Sequence, residues 1–301
     1  MLPLAYFIPL FIYRYEDEKI FERLKKKGKI TLPYMSKIII INKIKWVKIY
    51  KISISLFFFL ITTSPIFAQN EKKIIKIGYF IAPPFTFESI DHKNKGAIID
   101  FYKNHIMPNT PYEFQFEAFP LTRLYIDLKK GDIDMIAMSS KNKTDFGVIV
   151  GNNALYSSKS FLITKIDFKY DKITSASQLK DIVIGSNKNG ARSSFLIQNR
   201  NVLNFEESSS QDSVNLLLKK LLAGRIDAIY GYLYYAYIYL AKKENVYDKI
   251  KAVELPGDSV FVYAGYSPKL DPKIREKIEK QIDIQINEKH INIDQMVKNI
   301  K

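Results

Sequence analysis

The sequence predicts an α/β fold built from two similar lobes, and three observations point to it. From Lys72 onward, short apolar runs with β-like character alternate with amphipathic stretches at helical spacing. The same alternation starts afresh in the second half of the chain. Most tellingly, residues 217–229 echo residues 124–136: a helical stretch, then Gly-x-Ile-Asp, then a short apolar run. The two copies read Gly131-Asp132-Ile133-Asp134 and Gly224-Arg225-Ile226-Asp227. One copy per lobe is the expectation.

The elements follow in order. Residues 74–80 read as a strand that ends in the turn Ala82-Pro83-Pro84-Phe85. Residues 98–106 read as a helix after Gly96, and residues 112–119 alternate as a second strand. Residues 121–130 put Leu121, Leu124, Tyr125 and Leu128 on one helical face, and Gly131 closes that helix. Residues 133–138 form a buried strand. In the second unit, residues 177–180 introduce a strand at 182–185, and the polar turn 186–190 leads into a helix. Residues 214–222 are helical and residues 228–230 are a strand. After Pro256-Gly257 come a strand at 260–266 and a charged amphipathic helix from Pro272 to about residue 286.

Composition sets the limits on function. With 301 residues and 47% hydrophobic content the chain can bury a large core. The net charge of +15 is concentrated toward the front: residues 1–68 hold 12 Lys and Arg against 4 Asp and Glu, and the remainder holds 34 against 27. No stripe of basic and aromatic residues runs through that remainder, so no nucleic-acid partner is expected. Lys43, Lys45, Lys48 and Lys51 precede an apolar run at 52–61, and small residues lead to Ala68. This is the layout of an export signal cleaved after Ala68. This ten-residue run, with Ser53 and Ser55 inside it, falls well short of the ~20 apolar residues that span a bilayer. Met35 would be a more usual start for such a signal than Met1. There are no cysteines, which excludes disulfides, thiolate metal or redox sites and a lipidated cysteine at the cleavage point. A periplasmic protein without a lipid anchor is the expectation.

Residues 72–301 as a whole resemble the family-3 extracellular solute-binding proteins, the polar amino-acid type that serve ABC importers. The resemblance is carried by Ile77-Gly78 to Pro83-Pro84-Phe85, Gly96 to Asp100, Leu128 to Asp134, Ser177-Gln178-Leu179-Lys180, Leu222 to Asp227 and the closing stretch from Lys269 to Ile282. Each motif is weak alone, and it is their order and spacing that carry the likeness. It implies a type II periplasmic binding fold, two α/β lobes joined by two crossover strands. Residues 69–157 with 258–301 would form one lobe and 158–257 the other, after an N-terminal extension and signal at 1–68. It also implies a small polar solute held between the lobes, no cofactor, no metal, a monomer and an inner-membrane ABC permease as partner.

Site residues carried over from the resemblance depart from the usual pattern. Phe85 stands where the family places an aromatic wall, with capping of the first core as the alternative. Ser139 and Ser140 lead a loop in which Lys143 occupies the position of an arginine that forks onto a ligand carboxylate. Lysine supplies charge without the planar fork. Arg192, in the loop 189–194, could clamp an anion. Arg123, in a Pro120-x-x-Arg123 motif, either meets an anion in the cleft or forms a structural ion pair. Where the family's amino-acid binders usually place an ammonium-binding Asp, this chain has Gly231 or Tyr232. Tyr230 or Tyr232 is the candidate for a phenolic contact, and Tyr232, Tyr235 and Tyr239 fall on one helical face. Asp134 and Asp227, at strand starts, read as structural.

No catalytic residues are expected. His92, His105 and His290 are scattered, and no nucleophile elbow or phosphate loop is present. The expected function is capture of a small polar solute, an amino acid or related compound, for an ABC importer. The alternatives are a cyclic-acid dehydratase on the same fold, with Glu88 or Lys143 as acid or base, and a ligand-sensing receptor without transport.

Overall fold

In the computed structural model of this protein, residues 23, 26–28, 72–141 and 146–300 are described. The chain divides into two units, Met1–Asn70 and Glu71–Lys301. The export signal, its cleavage point after Ala68, Met35 and Lys143 all lie outside the described residues.

The second unit contains two five-stranded sheets and a small hairpin. The first sheet begins with β1 (Lys73–Tyr79), whose last three residues are buried, as expected of a central strand covered on both faces. The hairpin β2 (Phe87–Glu88) and β3 (Asn94–Lys95) follows. Helix α1 (Ala97–Phe101) continues as a π-helical turn, Tyr102–Ile106, and a 3-10 turn, Met107–Asn109. Strand β4 (Tyr112–Ala118) runs parallel to β1. Helix α2 (Leu121–Lys130) buries Leu121, Leu124, Tyr125 and Leu128 and stops at Gly131, whose φ of 80° favours glycine. Strand β5 (Met135–Ser139) is buried throughout, and β6 (Ile149–Ser158) lies at the sheet edge in the order β4-β1-β5-β12-β6, where β12 is the later strand Val260–Tyr266.

The chain then leaves for the second sheet. Its strands are β7 (Phe161–Lys165), β8 (Val183–Asn187), β9 (Asn204–Ser208), β10 (Ala228–Gly231) and β11 (Ile250–Glu254), in the order β11-β7-β10-β8-β9. Between them lie α3 (Ser194–Gln198), α4 (Ser213–Leu222) and α5 (Tyr234–Lys243). The chain returns to the first sheet as β12 (Val260–Tyr266), antiparallel to both β5 and β6. It closes with α6 (Pro272–Asp283), capped by Asp271, and α7 (Ile293–Asn299), capped by Asn292. The two passages between sheets run side by side: Ser158 pairs with Val260, Glu254 pairs with Phe161, and the Leu255 N–H donates to Ser160 O at 2.9 Å. Two strands of this kind can flex together as one hinge.

The internal echo is a structural repeat. In the first sheet the Asp134 carboxylate accepts from the Lys76 N–H at 2.8 Å, and the Asp134 N–H donates to Lys76 O at 2.9 Å. In the second, Asp227 accepts from the Val183 N–H at 2.8 Å and donates to Val183 O at 3.0 Å. Each aspartate ties its own strand start to the neighbouring strand. Two residues further along that neighbour sits a glycine, Gly78 or Gly185, against which a leucine and an isoleucine pack: Leu124 and Ile133 in one lobe, Leu217 and Ile226 in the other. The Gly-x-Ile-Asp motif therefore encodes a strand tie plus a close helix-to-strand approach, used twice.

Several expected boundaries shift. The reading of one helix over 98–106 becomes an α turn followed by a π turn, ended by Pro108, whose missing N–H cannot continue the ladder. Helix α5 starts at Tyr234, so Tyr232 precedes it and does not share a helical face with Tyr235 and Tyr239.

Candidate functional site

The two sheets meet across a cleft, and the chain closes it in several places. From the second sheet, the Asn189 side-chain amide donates to Thr122 Oγ1 on α2 at 3.1 Å, and Gln211 Nε2 donates to Ala118 O at 3.4 Å. Asn189 sits in a left-handed turn (φ 61°) before Gly190, a conformation asparagine tolerates well. One apolar cluster runs without a break from Ile75, Phe85 and Tyr125 of the first sheet's layers to Leu217, Leu233 and Tyr237 of the second's. Side chains fill the cleft in this conformation.

Aromatic rings are part of that filling. Tyr125 stacks on Phe146 with ring centroids 5.0 Å apart and planes 27° from parallel. Opposite them, Tyr232 follows β10, and its ring lies 6.5 Å from that of Tyr230. Burial pushes both the Tyr125 and Tyr232 phenols up, and for Tyr232 the neighbouring phenols of Tyr125, Tyr230 and Tyr237 add to the shift. These groups are neutral hydrogen-bonding partners at any physiological pH.

Behind Tyr232 is a cavity of about 10 Å³, close to the space one water needs. Ser186, Asn187, Gly190, Ala191, Arg192, Tyr230, Gly231 and Tyr237 are among the residues that line it. Arg192 reaches it already engaged. Its guanidinium pairs with Glu207, donates to Ser186 Oγ at 3.4 Å and lies 4.5 Å from the centre of the Phe205 ring. The Tyr230 hydroxyl accepts from the Ser193 N–H at 3.0 Å and lies 3.5 Å from Ser160 Oγ. Two buried polar atoms at this wall, Asn187 Oδ1 and Arg192 Nε, make no hydrogen bond, and nearby Ser193 Oγ makes none of ordinary geometry, although the Tyr230 phenol is beside it. Buried polar groups without partners are uncommon enough to need a reason, and a bound solute is one.

The other sequence candidates fall around this centre. Ser139 and Ser140 are buried at the end of β5. Ser139 Oγ makes no hydrogen bond of ordinary geometry, although the Tyr125 phenol is beside it. Phe85 is fully buried and packs edge-on against Tyr156, centroids 4.8 Å apart, which is the core-capping alternative. Arg123 pairs with Asp127 one helical turn away at 2.6 Å, with its own side chain 60% exposed, so it forms the structural ion pair. Tyr79 donates to Asn94 Oδ1 on the hairpin at 2.6 Å, which commits its hydroxyl there. Glu88 pairs with His92 at 2.7 Å on the same exposed hairpin.

Sequence reasoning passed over Tyr125, Phe146, Asn187, Thr122 and Asn189. Tyr125 read as one more apolar position on a helix face. Asn187 and Asn189 were visible only as parts of a polar turn, although Asn189-Gly190 is a recognised turn signal.

The scan against protein-family models and the search of curated proteins find no match. Solved structures do match. An ancestral arginine-binding protein bound to glutamine is 17% identical, covering 75% of this chain and 96% of its own, with a TM-score of 0.61. That level of structural agreement over nearly a whole second chain decides the fold. This protein has the type II periplasmic binding fold. A substrate-binding protein of an ABC uptake transporter from Streptococcus pneumoniae, with bound histidine, has the same fold at 18% identity, covering 75% of this chain and 92% of its own, TM-score 0.61. So does an ancestral amino acid-binding protein described as a precursor of cyclohexadienyl dehydratase, at 14% identity, covering 75% and 93%, TM-score 0.59.

Proposed function

We propose that this protein captures a small polar solute between its two lobes, 69–157 with 258–301 and 158–257, and hands it to an ABC importer at the inner membrane. The observation that carries the proposal is the cleft itself. It lies between two sheets joined by paired crossover strands, is lined by tyrosines, and leaves polar atoms at its wall without partners. The solved structures named above are binding proteins for amino acids or their transport, which supports the same role.

Mechanistically, the solute enters when the Asn189–Thr122 and Gln211–Ala118 bonds part. It is then sealed in when the lobes close on it. Binding stabilises a closed state that exists beforehand, and the differential contact with the two lobes sets how far the equilibrium moves. Chemistry on the solute is not part of the proposal. Glu88 is held by His92 on an exposed hairpin, away from the cleft tyrosines, and burial raises the proton affinity of the cleft phenols, so those phenols are not poised near neutral pH. Export through a cleaved signal, monomeric behaviour in the periplasm and docking on the permease belong to the same proposal.

A thermal-shift panel of amino acids, amines, sugars, nucleosides and organic anions tests it. A solute at 100 times its dissociation constant adds about 2.7 kcal/mol. At ~2–4 °C per kcal/mol for a chain of this size, the midpoint should rise by roughly 5–10 °C. A panel without any shift would remove the proposal.

A further inference from the structure

The C-terminal helix belongs to one sheet and touches the other. Helix α7 is rooted on the first sheet's side: Ile293 and Val297 are buried, and the helix packs against α1 and β6. Elsewhere on α7, Asp294 and Lys298 lie one turn apart and pair at 2.5 Å, with the acid nearer the N-terminus, the favourable order on a helix. Lys298 Nζ also lies 5.4 Å from the centre of the Tyr235 ring, within the ~6 Å at which an ammonium is drawn to an aromatic ring. Tyr235 is part of the second sheet's layers. It stands in the first turn of α5, which packs on β7 and α4, and the ring of its neighbour Tyr234 is 5.0 Å from that of Phe161 at the start of β7.

This tie sits beside the passage between the sheets. Asp294, Tyr235 and Lys298 all act on the Tyr156 phenol of β6, the strand from which the chain leaves for the second sheet. Neither Lys298 nor Tyr235 lines the cavity behind Tyr232, and the Lys298 side chain is half exposed. Position decides the sign of its effect. A contact made while the cleft is closed either breaks when the sheets part, and then favours closure, or persists through the motion and does nothing. Deleting it therefore favours opening or leaves the equilibrium alone. An exposed cation–ring contact that breaks moves such an equilibrium roughly two- to fivefold. Affinity for a solute held by closure falls in step with the closed fraction.

We propose that Lys298 is a positioning residue: through Tyr235 it ties α7 to the second lobe, holds the lobes closed and so tightens the grip on a solute that it does not touch. This role rests on the solute-binding reading above. The thiol pair Thr122→Cys with Asn189→Cys, placed where the native side chains meet across the cleft at 3.1 Å, reports closure without any solute, because the chain has no other cysteine. Disulfide formation by oxidised glutathione is timed in the mature protein carrying this pair. Lys298→Met and Tyr235→Leu should each slow crosslinking about two- to fivefold. Their combination should be no slower than the slower single variant, since both remove one contact. Lys298→Arg, whose guanidinium also stacks on aromatic faces, should keep the parent rate. Circular dichroism of Lys298→Met should match the parent. A rate unchanged or raised in Lys298→Met or Tyr235→Leu, or two single effects that multiply in the combination, overturns the role of Lys298 and leaves the binding-protein proposal standing. If the parent thiol pair fails to crosslink at all, the two-lobed clamp falls and the role of Lys298 with it.

Discussion

Replacing Gly185 with alanine tests whether the two lobes are built on one plan. A Cβ at this position on β8 would meet Ile226 Cδ1 at 2.6 Å and Leu217 Cδ2 at 2.8 Å. Both distances are roughly 1 Å short of the ~3.5 Å at which carbon atoms pack comfortably. The two methyl groups are side-chain ends and can move, but Leu217 is fully buried and Ile226 nearly so. They must retreat into a close-packed interior, and overpacking of this kind costs about 1–3 kcal/mol. For a chain of this size that is roughly 2–12 °C of melting temperature. Gly78→Ala on β1 should cost a similar amount, because its Cβ would meet Ile133 Cδ1 at 2.8 Å and would crowd Leu124 as well. Urea unfolding of both variants, fitted with the slope of the parent, provides the free energies. If either variant melts within a degree of the parent, the claim that this leucine and isoleucine pack onto a bare backbone in both lobes fails.

Other outcomes follow from the same contacts. Glu279→Ala removes the acceptor shared by the Tyr266 hydroxyl and the Asn152 N–H, which donates at 2.8 Å. Leaving the buried Tyr266 hydroxyl without a partner, and the part-buried Asn152 N–H with it, should cost about 1–3 kcal/mol in chemical unfolding, and a cost under about 0.5 kcal/mol would count against that role for Glu279. Tyr79 and Tyr156 are both pushed up to about 12 from 10.0, mainly by burial. The folded state therefore holds these protons more tightly than the unfolded chain, so the stability they contribute is full below pH 10 and is lost as the pH rises from 10 to 12. Phenolate absorbance and circular dichroism should then change together in an alkaline titration, and phenolate forming with the fold intact would contradict it. Arg192→Met breaks the pair with Glu207 and leaves that carboxylate, with its side chain 29% exposed, short of a partner. A loss of about 1–3 kcal/mol is expected, to be measured beside Arg192→Met with Glu207→Gln, which should restore part of it.

The order of the fold was legible because it depends on local chemistry. Alternation marked β4, short apolar runs marked β1 and β5, the helical face of α2 was complete, and Gly-x-Ile-Asp announced the repeat. What stayed hidden was written in long-range pairing. Strands β6 and β9 carry polar sequences such as Asn152-Asn153 and Glu206-Glu207, and they become strands because neighbouring edges need partners. The crossover strands have no local mark at all. In the site, Arg192 was visible as a charged loop residue, but its neutralisation by Glu207 depends on two adjacent strands, β8 and β9, that the sequence shows only separately. Tyr125 and Tyr232 are far apart in the chain, and it is the packing of the two sheets that brings their phenols near each other.

Closure itself can be watched at one pair of residues. The chain has no cysteine, so Thr122→Cys with Asn189→Cys places the molecule's two thiols where the 3.1 Å hydrogen bond now spans the cleft. The measurement is the rate of disulfide formation with and without the solute that raises the melting temperature most. If a solute clamps the two lobes together, it should speed crosslinking severalfold, and the oxidised protein should bind no further solute. A crosslinking rate indifferent to the solute, or an oxidised protein that still binds it freely, would contradict a two-lobed clamp.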